Sequence, residues 1–407
     1  MHNGLKRPSD TLFFISVILL LTLSAEVSAH PRVDPATGRV RMLLIGETFT
    51  QLPAISYMLS DPMLEVTLIP AGSVVDEKTS RRFVRIYMPR SKSELLENYD
   101  LVELFDFVPY ALLDKHIQWI HDSVYEDGVG LALVEMGWYA VPDWTGNDAA
   151  AWMATVLYKA YPADLVIGKQ NKRTAYMKVL VRDPPLVDLP GFEKADLTEV
   201  QHHGIQVARP GSVVFTRWRA GNEDAIIGGR YGAGATLMIP MGWDNVPLWT
   251  QEGWDYFISF VSNHAYYVAR VPLPEDPNLV QALRVAFSEY LTRKSLATSF
   301  LDFISGFGAR TDRIEQLLSE MESDRKEAQS LYIKGDYQAS WQAITSILER
   351  FQAITDESMK LRRRALMWIY TIEWFVVTGT LFLAGLALWT LMVKRRLYRE
   401  VATTRGA

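Results

Sequence analysis

The run from Phe375 to Val393 holds 19 residues without a single charge. No other feature limits the folding of this chain as strongly. A segment of that length and composition can satisfy its backbone amides in lipid only as a helix, and it matches a hydrocarbon core of roughly 30 Å. Trp368, Tyr370 and Trp374 lie at one edge of the run, and Trp389 and Tyr398 lie near the other. They resemble the aromatic belts of membrane interfaces. Lys394-Arg395-Arg396 follows the run at once and Arg362-Arg363-Arg364 precedes it, so the basic flanks alone do not orient it.

The other end of the chain supplies a direction. Lys6 and Arg7 precede an apolar stretch from Leu12 to Leu23, and Val27-Ser28-Ala29 offers small residues at a cleavage position. This is the layout of a secretory signal, with an uncleaved N-terminal anchor as the alternative. The expectation is a single-pass protein of the cell membrane with its bulk extracytoplasmic. Residues 394–407 are then expected on the cytoplasmic side.

Between these ends there is enough apolar residue, 49% of 407, to build a substantial core. The net charge of −5 argues against nucleic acid as a partner. The sequence has no Cys, which excludes disulfides, thiolate metal sites and thiol nucleophiles together. No cofactor is expected.

The pattern over residues 40–134 alternates strand with helix. Strands are expected at Val40 to Ile45, Leu64 to Ile69, Leu101 to Phe107 and Leu131 to Val134. Helices are expected at Thr50 to Leu59, Ser91 to Asn98 with Ser91 as N-cap, and Asp114 to Glu126. Such alternation predicts βαβ units and a doubly wound, mostly parallel sheet. The fourth strand is a short apolar run bounded by Gly130 and Gly137, as in a fully buried strand followed by a tight turn. Beyond it come the aromatic segment Trp138 to Trp144 and a helix from about Asp148 to Ala160. Further strands follow at Tyr176 to Val181, Ser212 to Trp218, Asp224 to Arg230 and Ala235 to Ile239. Gly232-Ala233-Gly234 forms the turn between the last two, and a helix over Glu252 to Val268 closes the domain.

Asp127 to Trp144, the segment Arg230-Tyr231-Gly232-Ala233-Gly234 running on to Pro240, and the aromatic helix around Trp254 and Phe257 resemble the class I glutamine amidotransferase-like superfamily. The nearest branch is one whose members are often membrane-linked. The resemblance covers roughly residues 38–270. It implies a flavodoxin-like sheet, a Cys at the strand–helix elbow and a His-x-Glu after the last strand. In this chain the elbow position is Glu135, and the later segment reads Met241-Gly242-Trp243-Asp244. The resemblance therefore implies a catalytically degenerate member.

After Val268 the composition shifts. Pro272 to Pro277 reads as a linker, with short helices at Leu279 to Leu291 and Leu296 to Ile304. Ile314, Leu318, Met321, Arg325, Ala328 and Tyr332 then share one helix face, as do Tyr337, Trp341, Ile344, Leu348 and Phe351. Lys334-Gly335-Asp336 joins the two as an antiparallel hairpin whose second helix can run on into the membrane. The expected organisation is a signal peptide (1–29), an α/β domain (38–270), a linker with short helices (271–308), a helical hairpin stalk (309–366), a transmembrane helix (374–393) and a tail (394–407).

Glu135 is the sharpest chemical candidate, either as nucleophile or base with His202 or His203, or as a cap on backbone amides. Trp138, Tyr139, Trp144 and Trp243 all follow carboxyl ends of expected strands. That is the edge where open α/β sheets bind ligands, and aromatic faces there suit sugar rings or a protein partner. Packing beneath the loops is the alternative. His116 and His121 lie five apart, off a common helix face, and His264 reads as packing. Three functional expectations follow: a non-catalytic membrane-anchored protein that binds a partner protein or envelope component, a hydrolase using Glu135 with a His, or a ligand sensor acting through a membrane partner.

Overall fold

The computed structural model describes residues 31–50, 52–72, 75–107, 111–134, 152–171, 176–194, 203–219, 221–240, 242, 254–305 and 312–404. The chain divides into two compact units. The first comprises residues up to Ser288 together with Gln329–Trp341, and the second comprises Glu289–Ala328 and the residues from Gln342 onward. The signal segment lies outside the described residues.

The first unit is organised by a seven-stranded, mostly parallel sheet. Its parallel strands are β1 (Val40–Gly46), β2 (Leu64–Pro70), β3 (Leu101–Phe105), β4 (Gly130–Val134) and β11 (Gly234–Ile239). β10 (Ile227–Tyr231) and β8 (Val213–Val214) extend one side in antiparallel fashion, giving the order β2-β1-β3-β4-β11-β10-β8. β3, β4 and β11 are buried along their whole length, which is why they read as continuous apolar runs rather than alternating ones.

Successive side chains leave opposite faces of the sheet, so each strand feeds two cores. Met42, Leu44, Phe105, Ala132 and Leu237 pack with α1 (Pro53–Ser60), which supplies Ile55 and Met58. Leu43, Ile45, Val102, Leu133 and Met238 face the other way. Three helices cover that side: α2 (Glu77–Tyr87), α3 (Lys92–Asn98) and α4 (Asp114–Tyr125). Two of these start on side-chain caps: Asp76 accepts the Thr79 N–H at 3.1 Å, and Ser91 accepts the Glu94 N–H at 3.1 Å. The turn between β10 and β11 passes through Gly232 at φ +58°, where a Cβ would meet the Tyr125 carbonyl oxygen at 2.2 Å.

Two small antiparallel pairs complete the sheet structure. β5 (Ala163–Asn171) pairs with β7 (His203–Ala208), and β6 (Met177–Val179) with β9 (Thr216–Trp218). The strand expected over Ser212 to Trp218 is thus broken at Phe215, whose side chain is buried and whose N–H donates to the Ile226 carbonyl. β5 and α2 have no counterpart in the sequence reading.

α5 (Phe257–Val268) closes the first core and is buried at nearly every position. α6 (Pro277–Ser305) replaces the two short helices expected there. The segment between them, Thr292 to Ser295, is polar but contains no Gly or Pro, and helical propensity carries the backbone through it. α7 (Asp312–Ile333) and α8 (Tyr337–Thr404) follow the expected periodicities. On α7 Ile314, Leu318, Met321, Ala328 and Tyr332 are buried, and on α8 so are Ile344 and Phe351. Gly335, at φ +80°, turns the chain between them, and Asp336 caps the start of α8 by accepting the Ala339 N–H at 3.1 Å.

In the second unit α8 continues without interruption through an apolar segment from Leu366 to Arg396, long enough to cross a membrane. Its apolar side chains are exposed, Phe375 at 73% and Phe382 at 70%. The Thr371, Thr378 and Thr380 hydroxyls each donate to the carbonyl four residues earlier, at 2.6–2.7 Å. Polar side chains in such a helix are thereby satisfied internally, as a nonpolar solvent requires.

Candidate functional site

In an open α/β sheet the ligand crevice lies outside the carboxyl ends of the strands, where strand order reverses. Here the chain goes from β1 to β2 on one side and then to β3 on the other, so the reversal lies between β1 and β3. Four chain segments converge there. The Glu47 N–H donates to the Phe105 carbonyl at 3.0 Å, the Ala71 N–H to the Gly46 carbonyl at 2.9 Å, and the Asp106 N–H to the Val134 carbonyl at 3.2 Å. Gly72 forms a bridge with Phe107.

The packing is tight enough to dictate residue type. Gly46 sits at φ +135°, and a Cβ there would lie 1.7 Å from the Phe105 carbonyl oxygen. A Cβ on Gly72 would lie 2.4 Å from the Glu47 side chain. Asp106 adopts φ +42°, a conformation that Asp tolerates better than most residues. Two carboxylates, Glu47 and Asp106, stand at this edge and are only 4% and 9% exposed. An acidic pair at a switch point can orient a cation, an amine or a hydroxyl donor. The sequence reading passed over both residues. The available signal was Gly46-Glu47 directly after an apolar strand.

β4 leads toward the first residue that the sequence singles out. Its last residue, Val134, joins the same convergence, and Glu135 follows it in the chain. Glu135, Trp138, Tyr139, Trp144, His202 and Trp243 lie outside the described residues. His203 is described: it opens β7, opposite Asn171, in a strand the sequence pattern does not predict. The cause is the β5 partner, whose ladder contains a register shift between Val166 and Gln170 that blurs its sequence pattern.

The other histidines have separate surroundings. His116 is buried, and its Nδ1 accepts the Leu113 N–H at 3.4 Å. Burial, assisted by the neighbouring Lys115 charge, pushes its pKa down to about 4, so it is neutral at physiological pH. His121 contacts Asp122 at 2.8 Å and the Tyr231 hydroxyl at 2.8 Å, beside the amino ends of β4 and β11 rather than their carboxyl ends. His264 is buried as expected for packing, yet it is more than packing. Its Nδ1–H donates to the Val261 carbonyl, and its Nε2 meets Glu103 Oε2 at 2.5 Å, both side chains being fully buried. Among the described residues no group of three or more His, Asp or Glu is arranged to hold a metal ion.

A second buried charge joins α1, α5, α6 and α7 within the first unit. Arg284 Nε–H donates to Asp61 Oδ2 and to the Tyr332 hydroxyl, each at 3.1 Å. Its Nη1 donates to Asn263 Oδ1 at 3.0 Å, while the Tyr266 hydroxyl donates to Asp61 Oδ1 at 2.6 Å. Burial, with the Asp61 charge adding, drives the Tyr266 phenol far above its ordinary range, which suits its role as a donor to Asp61. This cluster holds the fold together and presents no reacting group to solvent.

No protein-family model matches the sequence, and no curated protein is significantly similar to it. Among solved structures the chain is similar to Cytoplasmic Protein STM1381 from Salmonella typhimurium LT2, at 16% identity over 56% of this chain and 99% of that one, with a TM-score of 0.44. It is similar to Cytoplasmic Protein STM3548 from Salmonella typhimurium at 17% identity over 56% and 99%, with a TM-score of 0.45. A third similarity is to the exo-beta-1,4-mannosidase Op5Man5 from Opitutaceae bacterium strain TAV5. It has 12% identity over 62% of this chain and 36% of that one, with a TM-score of 0.30.

Proposed function

We propose that this chain is a non-catalytic, membrane-anchored protein whose flavodoxin-like, glutamine amidotransferase-like head binds a partner protein or envelope component on the extracytoplasmic side. The observation that carries the reading is the conjunction of two features in one chain. A doubly wound sheet brings four strand ends together around Glu47 and Asp106. A continuous α8 carries an apolar segment fit to cross a membrane. The sequence supports the non-catalytic part, since the elbow position is Glu135, no Cys exists, and Met241-Gly242-Trp243-Asp244 stands where the resemblance implies His-x-Glu. In this reading the switch-point carboxylates and the aromatic residues after β4 and β11 form the binding edge, and α7 with α8 serves as a stalk.

The test is chemical. The purified full chain in detergent is assayed for hydrolysis of glutamine, simple esters and peptides. No turnover above a heat-denatured control is expected. Turnover that disappears in Glu135→Gln would replace this reading with a Glu135-dependent hydrolase. Protease protection of intact cells or spheroplasts tests the orientation, with the α/β head expected to be digested from outside.

A further inference from the structure

A strongly cationic groove lies on the first unit, distinct from the carboxyl-edge crevice. It is formed by α2 and by the chain entering α4, and encloses about 610 Å³. Lys78, Arg81, Arg82 and Arg85 follow one another on α2 at spacings of three, one and three residues, which places them on one face of the helix. Arg90 and Lys115 add two more cations to the lining. All six are exposed. Of these six, only Arg81 makes a salt bridge among the described residues, to Glu77 four residues earlier at 2.7 Å, and none of the lining residues is acidic. This concentration occurs in a chain of net charge −5.

The lining is not only charged. Val84, Met88, Ala111 and Leu113 form apolar parts of the same groove, and Leu113 is 56% exposed. The α4 amino end lies beside Leu113 and Lys115, and there Asp114 in the first turn and His116 Nδ1 on the Leu113 N–H already face the positive end of the helix. His116 is neutral and adds no charge.

We infer that this groove docks an acidic protein segment that also carries apolar side chains. Charge complementarity favours the acid, because a row of six cations that outnumbers the carboxylates beside it gains most from a matching row of carboxylates, and guanidinium groups bind these bidentately. Leu113, exposed beside the buried Val84, Met88 and Ala111, favours an occupant with apolar side chains, which a phosphate polymer does not supply. The concave form favours an inserted chain over a flat lipid surface. On an acidic helix, carboxylates repeating every three and four residues would match the stripe on α2 residue for residue. The groove's lining includes neither Glu47 nor Asp106.

The experiment measures fluorescence anisotropy of a labelled synthetic helical peptide with Glu repeating every three and four residues and Leu between, titrated with the full chain in detergent at low and at high salt. Saturable binding that weakens with salt is expected. Arg82→Glu with Arg85→Glu is expected to lose about tenfold or more in affinity, since like charge replaces attraction at the centre of the stripe. Arg82→Gln with Arg85→Gln, which only removes charge, is expected to lose less. Lys178→Glu, an exposed lysine of β6 outside the groove, is expected to bind as the parent does. Absence of saturable binding overturns the inference, as does an equal loss in Lys178→Glu. Tighter binding of polyphosphate or of phosphatidylserine vesicles through the same arginines would also overturn it and assign the groove to phosphate groups. Because none of these readings uses Glu135, Glu47 or Asp106, they fail or succeed independently of the proposed function.

Discussion

Arg284 offers the sharpest test of how the first unit is held together. Replacing it with Met keeps most of the side-chain volume and removes the charge. The Asp61 carboxylate, with no exposure, would then keep only the Tyr266 hydroxyl and local backbone donors, and would lose the Nε–H at 3.1 Å. Asn263 Oδ1 and the Ser259 carbonyl would lose the Nη1 donor as well. Breaking a buried pair by removing one partner costs about 3–5 kcal/mol, because an uncompensated charge stays in a medium that cannot solvate it. At about 2–4 °C per kcal/mol for a large domain, the melting temperature should fall by about 6–20 °C. Thermal unfolding of the detergent-solubilised full chain, followed by tryptophan fluorescence, measures the shift. The double variant Asp61→Asn with Arg284→Met removes both charges and should be more stable than Arg284→Met alone, because no isolated charge remains. An Arg284→Met protein melting within about 2 °C of the parent would refute the reasoning, as would a double variant no better than the single one.

Three further outcomes follow from local geometry. Burial acts to raise the Glu322 pKa, but the Arg325 and Lys294 hydrogen bonds at 2.7 Å outweigh it and hold the group at about 2, below its ordinary 4.5. Its stabilising contribution should therefore be complete above pH 4.5 and vanish as pH falls through 2. Amide exchange in Leu318–Ala328 should increase over that window, and Glu322→Gln should remove that acid dependence. Gly46→Ala should fail to yield soluble folded protein, since its Cβ would meet Phe105 O at 1.7 Å. Gly211→Ala, at φ +86° with nothing within 4 Å, should cost only the left-handed backbone penalty of about 1–2 kcal/mol, and soluble yield with thermal melting separates the two. Leu383→Arg with Leu386→Arg places two charges at the middle of the apolar segment, at about 2.5–3.5 kcal/mol each on insertion scales. These should move the protein into the carbonate-extractable fraction. Retention in the membrane pellet would show that α8 is not the anchor.

The legibility of the binding edge was uneven for a physical reason. A strand end is visible in sequence because burial on both faces demands an unbroken apolar run, as in Leu131 to Val134. Which strand ends meet is not visible there, because it depends on strand order. Glu47 and Asp106 are 59 residues apart in the chain and become neighbours only because β3 pairs with β1. Local pattern is therefore strongest at the elbow after β4, while the switch point leaves no local signature. His264 was read as packing because its helix is aromatic and apolar; its partner Glu103 stands 161 positions away, inside a strand that is otherwise apolar.

By itself the sequence determined the five parallel strands, the Ser91 cap, the turn at Gly335 and the long apolar segment of α8. Each depends on contacts within a few residues or on a period that burial imposes locally. Tertiary structure alone decided the rest. α2 is short and mostly charged, burying little more than Ser80 and Val84, and its cationic face becomes a groove only when the α4 entrance is set beside it. β5 and β7 exist because each completes the other's backbone hydrogen bonds. Arg284 is stable inside the protein only because Asp61, 223 positions earlier, arrives at the same point. A charge cannot be buried without its partner, and no local pattern in the chain records where that partner will be.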